Sequence, residues 1–392
     1  MSERIRTVRV GVPCGDCGTL EKTHRFSYAY DHSALPEHQV SLTMPVRLPS
    51  YSRGAIHPIF EQNLPEGFVR QRIIERLQKH IRVDEMLFLA LQRDYGIGRL
   101  QYQSERFPAG DVGKEDLTEI LQWRGRESLF EELVSKYLLQ TSVSGVQPKV
   151  LVADSRATFQ TPSLIIKSGL DEYPGLAVNE YFCMTAARKC GLQVPEFYLS
   201  DDHSLFIMQR FDLFANGERL GVEDFSVLLG ERADDKYAGS YESLARVINM
   251  YCASPRLDLE LFFRLLVLSV AVGNGDAHKK NFSVIYDDIT KPETIRLSPA
   301  YDIVSTVPYL QGDTPALKMN GHKKSFPTRA ELVRFGKKIG IKQPAEIIEQ
   351  IVATVSDTLA QHKYLFDEHP FIYQAIKRGS KKIGVRHLTL LS

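Results

Sequence analysis

Ten residues of this chain concentrate groups that could do chemistry: Gly273-Asn274-Gly275-Asp276-Ala277-His278-Lys279-Lys280-Asn281-Phe282. Two small glycines, an acid, a histidine and an amide make a loop, and it follows directly on the apolar stretch 258–273. A loop at the end of a buried helix can hold polar groups rigidly. Asp276 and Asn281 are five positions apart. That spacing suits phosphoryl transfer, where a carboxylate sits beside the attacking hydroxyl and an amide oxygen on the same loop reaches Mg2+ on the phosphates. A plainer reading stays open, because Asn-Gly-Asp is also ordinary turn chemistry.

A second acid narrows the choice. Thr294 to Leu297 reads as a strand leading into Ser298-Pro299-Ala300-Tyr301-Asp302, so Asp302 falls 21 residues after Asn281. A kinase-like site needs such a metal-binding acid downstream, on a strand beside the loop. Upstream, Thr141-Ser142-Val143-Ser144-Gly145-Val146-Gln147-Pro148-Lys149 is a small-residue turn entering a strand, suited to main-chain N–H groups approaching phosphates. It matches neither Gly-x-Gly-x-x-Gly nor Gly-x-x-x-x-Gly-Lys-Ser/Thr. Leu164-Ile165-Ile166-Lys167 ends an apolar strand in lysine. Its desolvation calls for an anion such as a phosphate, with Glu180 as an orienting carboxylate; a strand-end lysine reaching solvent is the plainer alternative. Phe206-Ile207-Met208-Gln209-Arg210-Phe211-Asp212 passes from apolar strand to polar segment, as a hinge does where backbone meets an adenine.

The elements that must position these groups follow from periodicity. Arg4 to Val12 alternates as a half-buried strand does, Phe26–Tyr30 and Val40–Met44 read as two more, and helices are expected over 68–79 and 83–91. Residues 106–125 read as a linker. Strands near 149–153, 163–167 and 205–209 surround a helix at 176–190, and helices follow at 241–252, 258–273, 328–339 and 344–364. The expected fold class is α+β, a two-lobed catalytic fold with ligand between the lobes. It divides into a β-rich subdomain 1–105, the linker 106–125, an N-lobe 126–215 carrying phosphate loop and hinge, and a helical C-lobe 216–392.

The ordered set Ser-Val-Ser-Gly-Val-Gln-Pro-Lys, Ile-Ile-Lys, Asn-Glu-Tyr-Phe, Gln-Arg-Phe-Asp, Glu-Asp-Phe, Gly-Asp-Ala-His-Lys-Lys-Asn-Phe-Ser and Pro-Ala-Tyr-Asp-Ile closely resembles the HipA family over roughly residues 140–305. Pro45-Val46-Arg47-Leu48-Pro49 and Asn63-Leu64-Pro65-Glu66-Gly67 look like that family's N-terminal subdomain. The resemblance implies a protein-kinase-like fold and an ATP- and Mg2+-dependent serine/threonine kinase, the toxin of a type II toxin–antitoxin module. Its partner would be a small helix-turn-helix antitoxin of HipB type contacting the subdomain 1–105, with DNA met only through it. Its target would be a protein, an aminoacyl-tRNA synthetase in some members. Residue by residue, Asp276 would be the catalytic base, and Asn281 and Asp302 would hold Mg2+. Lys167 would contact phosphates, Ser144, Gly145, Val146, Gln147, Pro148 and Lys149 would form the phosphate loop, and Gln209, Arg210 and Phe211 the hinge. His278, Lys279 and Lys280 would lie along the nucleotide, and Tyr301 would flank the metal acid. Ser142 or Ser144 would be autophosphorylated. Pro148 after Gln147, and Gln209 where Glu is familiar, depart from the pattern and bear on nucleotide affinity and loop mobility. A small-molecule kinase of similar fold, or a non-catalytic antitoxin-binding co-repressor, are the alternatives.

Composition agrees with that reading without singling it out. Among 392 residues, 43% are hydrophobic and 25% charged, and Lys+Arg 49 against Asp+Glu 48 leaves +1. No global field draws the chain to nucleic acid or anionic lipid. Five cysteines in this length point to a reducing, cytoplasmic setting. Cys14-Gly15-Asp16-Cys17 is half a zinc pattern without a second half and reads as a hairpin turn with free thiols, and no Gly-x-Ser-x-Gly supports a hydrolase. The start, with Arg4, Arg6 and Arg9, lacks a signal-peptide core, and Leu261–Val272 is too short for a membrane span.

Overall fold

A computed structural model describes residues 4–107, 113–125, 128–140, 145–159, 161–169 and 171–384. The chain forms two compact units. The first comprises Met1–Leu170, Glu196–Asp235 and Ser283–Ile295, and the second Asp171–Pro195, Lys236–Phe282 and Arg296–Ser392. The boundary drawn at 215/216 thus falls inside the first unit, because the chain passes between the units more than once.

The first unit is rich in strands. β1 (Thr7–Val12) alternates, with Val8, Val10 and Val12 buried, as one face of a pleated strand packs inward. It pairs antiparallel with β2 (Gly15–Lys22), which pairs with β3 (Phe26–Tyr30) and then β4 (Tyr51–Arg53). β5 (Gln101–Gln103) closes the other side of β1. The strand expected at 40–44 is instead a turn bridged between Ser41 and Met44. Its donors are drawn elsewhere: Ser41 Oγ and Leu42 N both donate to the buried carboxylate of Glu223, each at 2.7 Å. Cys14 is exposed at the β1–β2 turn and Cys17 is buried within β2; all five cysteines are free thiols. The helix Glu85–Gln92 begins where the Asp84 carboxylate caps Met86 N and Leu87 N.

A second sheet carries the lysine-bearing strands. β6 (Lys114–Glu115) runs parallel to β7 (Lys149–Asp154), which pairs antiparallel with β8 (Leu164–Ser168). β9 (Phe197–Leu199) and β10 (Leu205–Gln209) complete it in the order β6-β7-β8-β10-β9. The segment read as a linker therefore holds a strand and a helix, Leu117–Leu121, whose Leu117 and Ile120 join the core. β11 (Gly221–Asp224) pairs antiparallel with β12 (Ser283–Tyr286) in a further sheet.

The second unit is helical, and its centre is Pro255–Val272, with Phe262, Phe263, Val267, Leu268 and Ala271 fully buried. From Leu265 to Val272 every residue is buried, as suits a helix half enclosed by others. Tyr241–Tyr251, Pro344–Gln361 and Pro370–Gly384 pack around it. Among the described residues, no helix is long and apolar enough to cross a membrane. The α+β class read from the sequence, with a β-rich N-terminal part and a mostly helical C-terminal part, is the class observed.

Candidate functional site

In the second unit the central helix stops at Gly273, whose φ of 74° is a left-handed turn that glycine adopts without strain. Gly273 N and Asn274 N close on the last carbonyls of that helix. Asn274 Oδ1 then accepts from Asp276 N at 2.9 Å, an Asx turn that aims the Asp276 side chain. His278 N and Asn281 Nδ2 both donate to the Asp276 carbonyl at 2.7 Å. Asp276 and Asn281 thus belong to one braced loop, with the Asn281 amide held through its Nδ2.

Asp276 remains 40% open to solvent, yet the protein around it is dense enough to push its carboxyl up to about 6. Desolvation is the main cause, the hydrogen bond from Tyr237 opposes it, and the charge of Asp302 adds to it. A carboxylate held near neutrality can accept a proton in a reaction at physiological pH. Tyr237 Oη donates to Asp276 Oδ1 at 2.5 Å. His278 is buried, and desolvation lowers its imidazole to about 3, so it is neutral. Its Nδ1 has no hydrogen-bond partner among the described residues, an orphaned buried atom of the sort a bound group satisfies. Lys279 is fully enclosed with its ammonium beside Gly239, and Lys280 is nearly so.

Asp302 does not sit on a strand; extended structure ends at Leu297. It has φ of +57°, a left-handed conformation uncommon outside glycine and a form of local strain found at functional positions. The segment is fixed on both sides of it. Tyr301 Oη donates to the Lys280 carbonyl at 2.9 Å, tying the acid to the loop of Asp276. Ser305 N donates to Asn179 Oδ1 at 3.0 Å, and Asn179 Nδ2 donates back to the Ser305 carbonyl at 2.8 Å. Asn179 belongs to the helix Leu176–Lys189, as does Glu180, which is buried rather than on the surface. Asp302 and Asn281 offer hard oxygen donors, a set that fits Mg2+, which keeps several waters and takes one or two carboxylates beside phosphate oxygens.

In the first unit, Lys149 and Lys167 are register partners across β7 and β8, and each is 3% exposed. Lys167 Nζ lies 5.7 Å from the centre of the Phe206 ring. Lys149 folds back over Gly145, where a Cβ would stand 2.5 Å from its Nζ; Gly145 itself has φ of +109°. Gly67, at φ +47°, approaches Val146 so closely that a Cβ would lie 2.7 Å from its backbone. The Asn63–Gly67 motif therefore abuts the end of the small-residue loop. Gln147 and Pro148 lie between; Ser142 and Ser144 lie outside the described residues.

The hinge departs from expectation at Arg210. Its guanidinium is wholly buried and pairs with Asp212, while its remaining donors reach the carbonyls of Tyr95, Gly96 and Pro162. Gln209 N and Arg210 N are engaged with Glu196 and Ser163 carbonyls. The Arg210 side chain braces the loop at Tyr95–Gly98 instead of facing a nucleotide, and Phe211 is only partly buried beside it. Sequence reasoning missed Tyr237, Asn179 as an anchor, and Asp313, which accepts from Thr306 Oγ1 and Thr314 N and adds its charge to that felt by Asp276. None of the three carries a spacing signal.

Comparison with known proteins adds an independent line. Residues 9–103 match the HipA N-terminal domain, and residues 141–359 match the HipA-like C-terminal domain. A protein of Sinorhizobium fredii named "Putative kinase Y4dM" is 30% identical over 339 residues, covering 80% of this chain and 76% of that one. A second from the same organism, "Putative kinase Y4mE", is 27% identical over 361 residues, covering 84% and 83%. Among solved structures, the Shewanella oneidensis HipA, described in complex with HipB and operator DNA, superposes with a TM-score of 0.71 over 96% of both chains at 18% identity. Both halves of the family's sequence pattern are present in order, and the backbone follows the same course, so this chain belongs to the HipA family.

Proposed function

We propose that this protein is a Mg2+-dependent kinase that transfers the γ-phosphoryl group of ATP to a serine or threonine of a protein. The observation that carries the reading is the braced loop in which Asp276, with its carboxyl raised to about 6, shares its own carbonyl with Asn281. In this reading Asp276 takes the proton of the acceptor hydroxyl, and Asn281 and Asp302 hold Mg2+, which supplies charge neutralisation at the phosphates. Lys167, Lys149 and the main chain of Gly145–Pro148 take phosphate oxygens. His278, Lys279 and Lys280, on the loop of Asp276, lie along the nucleotide. Gln209, Arg210 and Phe211 form the hinge beside the adenine. Ser142 or Ser144 is the autophosphorylated serine, whose added charge would repel ATP.

The same family membership supports a small helix-turn-helix antitoxin of HipB type as the partner of the N-terminal subdomain, with DNA reached only through it. An aminoacyl-tRNA synthetase in the cytoplasm is the target class proposed. Phosphate incorporation from labelled ATP, into the chain itself and into a lysate, tests the reading. Asp276→Asn and Asp302→Asn should each abolish it, whereas incorporation at the unsubstituted level in either would overturn the assignment.

A further inference from the structure

The carboxylate assigned as base already holds a hydroxyl. Tyr237 Oη stands 2.5 Å from Asp276 Oδ1, the reach a base needs toward the proton it removes. Core packing does not account for this side chain, which is 44% exposed on the turn 236–239. Its ring meets His278 edge-on at 5.1 Å between centres. Lys236 and Lys323 lie 5.4 and 5.8 Å from the ring centre, and Lys323 Nζ also holds the Tyr237 carbonyl at 3.3 Å. The turn is pinned beyond the tyrosine, where Lys318 N donates to the Gly239 carbonyl at 3.2 Å and Tyr241 N to that of Lys318 at 2.9 Å. Its backbone is thus anchored while the side chain as a whole is 44% exposed, so a change of side-chain rotamer would be enough to release Asp276.

We propose that Tyr237 stands in the acceptor's place: its phenol occupies the position at Asp276 that a substrate hydroxyl must take, so that acceptor binding displaces it. This rests on the reading of Asp276 as base. In the transfer, the acceptor O–H bond breaks toward the Asp276 carboxylate as the O–Pγ bond forms. The bond from Pγ to the bridging oxygen breaks, and its electron pair leaves with ADP. Water can make the same attack, and a phenol seated on the base keeps water from it until a protein hydroxyl arrives. Tyr237 is therefore a residue that discriminates between acceptors, favouring one able to displace the phenol over solvent.

The test uses the full chain with Mg·ATP and no added protein acceptor. Tyr237→Phe and Tyr237→Ala should both raise release of inorganic phosphate several-fold, with ATP affinity by calorimetry and the melting temperature unchanged. Adding Asp276→Asn to either should return release to background. Unchanged or slower release in Tyr237→Phe would overturn the proposal, the slower case making the phenol a positioning partner of the base. Phosphate found on Tyr237 by peptide mass spectrometry would overturn it too, since the tyrosine would then be an acceptor itself. Failure of the kinase reading would show separately, as phosphate incorporation that survives Asp276→Asn alone.

Discussion

Lys149 and Lys167 stand directly opposite each other on adjacent antiparallel strands, each closed off from water. Facing residues of such a pair project from the same side of the sheet, and like charges there repel. In the reading proposed above, both ammonium groups take phosphate oxygens of ATP. Lys167→Met should weaken ATP binding by roughly 10- to 100-fold, about 1.4–2.8 kcal/mol. Calorimetric titration with ATP measures it; undiminished ATP affinity would remove Lys167 from the phosphate site.

Arg210 and Asp212 give the opposite case, a buried pair whose charges satisfy each other. The arginine's contacts with Asp212 at 2.7 and 3.0 Å and with three carbonyls occupy its fork, and Asp212 also accepts from Gly98 N at 2.7 Å. That neighbourhood holds the Asp212 carboxyl below its usual range despite burial. Arg210→Ala strands a buried charge, so it should cost about 3–5 kcal/mol in denaturant unfolding. Arg210→Lys should recover little, because a single ammonium cannot reproduce the planar fork. A cost under 1 kcal/mol for either change would show that the network tolerates its loss.

This network also marks where sequence reasoning stops. β1, β8 and the helix Pro255–Val272 were legible because their apolar residues repeat at the period of a strand or a helix. The loop of Asp276 and Asn281 stood out in the sequence because its acid, histidine and amide fall within ten residues. Arg210 was read as part of a nucleotide hinge from its place after an apolar strand, yet its partners at Tyr95 and Gly96 lie 115 and 114 residues upstream. The turn at Ser41–Met44 looked like a strand because its fate depends on Glu223, 182 residues later. Leu117 and Ile120 supply too few apolar positions to reveal a period, so a helix passed for linker. Tyr237 and Asn179 act through contacts with residues distant in the chain, which periodicity and spacing do not report.

Asn179 shows what such a contact contributes. It is fully buried and exchanges two hydrogen bonds with the main chain of Ser305, three residues after Asp302. Asn179→Ala leaves the Ser305 N–H and carbonyl without that partner, at about 1–3 kcal/mol for each stranded group. The Asp302 turn, already in a left-handed conformation, should loosen with it. The concentration of Mg2+ giving half-maximal phosphate incorporation should then rise several-fold, beyond any loss of folded protein seen in the melt. A variant less stable but unchanged in its Mg2+ requirement would limit Asn179 to the fold.

Two raised carboxyls predict two separate pH dependences. Glu223 is enclosed and accepts from Leu42 N, Ser41 Oγ and Tyr286 Oη, yet desolvation outweighs these bonds and lifts its carboxyl from 4.5 to about 7. The folded state therefore holds this proton more tightly than the unfolded state. Its stabilising contribution is complete below pH 4.5 and is lost as the pH climbs through 7. At 1.36 kcal/mol per pH unit this is about 3 kcal/mol across the interval. Glu223→Gln should flatten the fall in unfolding free energy between pH 5 and 8. In the proposed reading Asp276 acts instead through its charged form, so phosphate transfer should rise with pH through about 6 as that carboxyl ionises. Glu223→Gln should leave that rising limb where it is, because the bonds to Glu223 come from Ser41, Leu42 and Tyr286. A limb that moves with Glu223→Gln, or a rate indifferent to pH between 5 and 7, would break the link between Asp276 and proton removal.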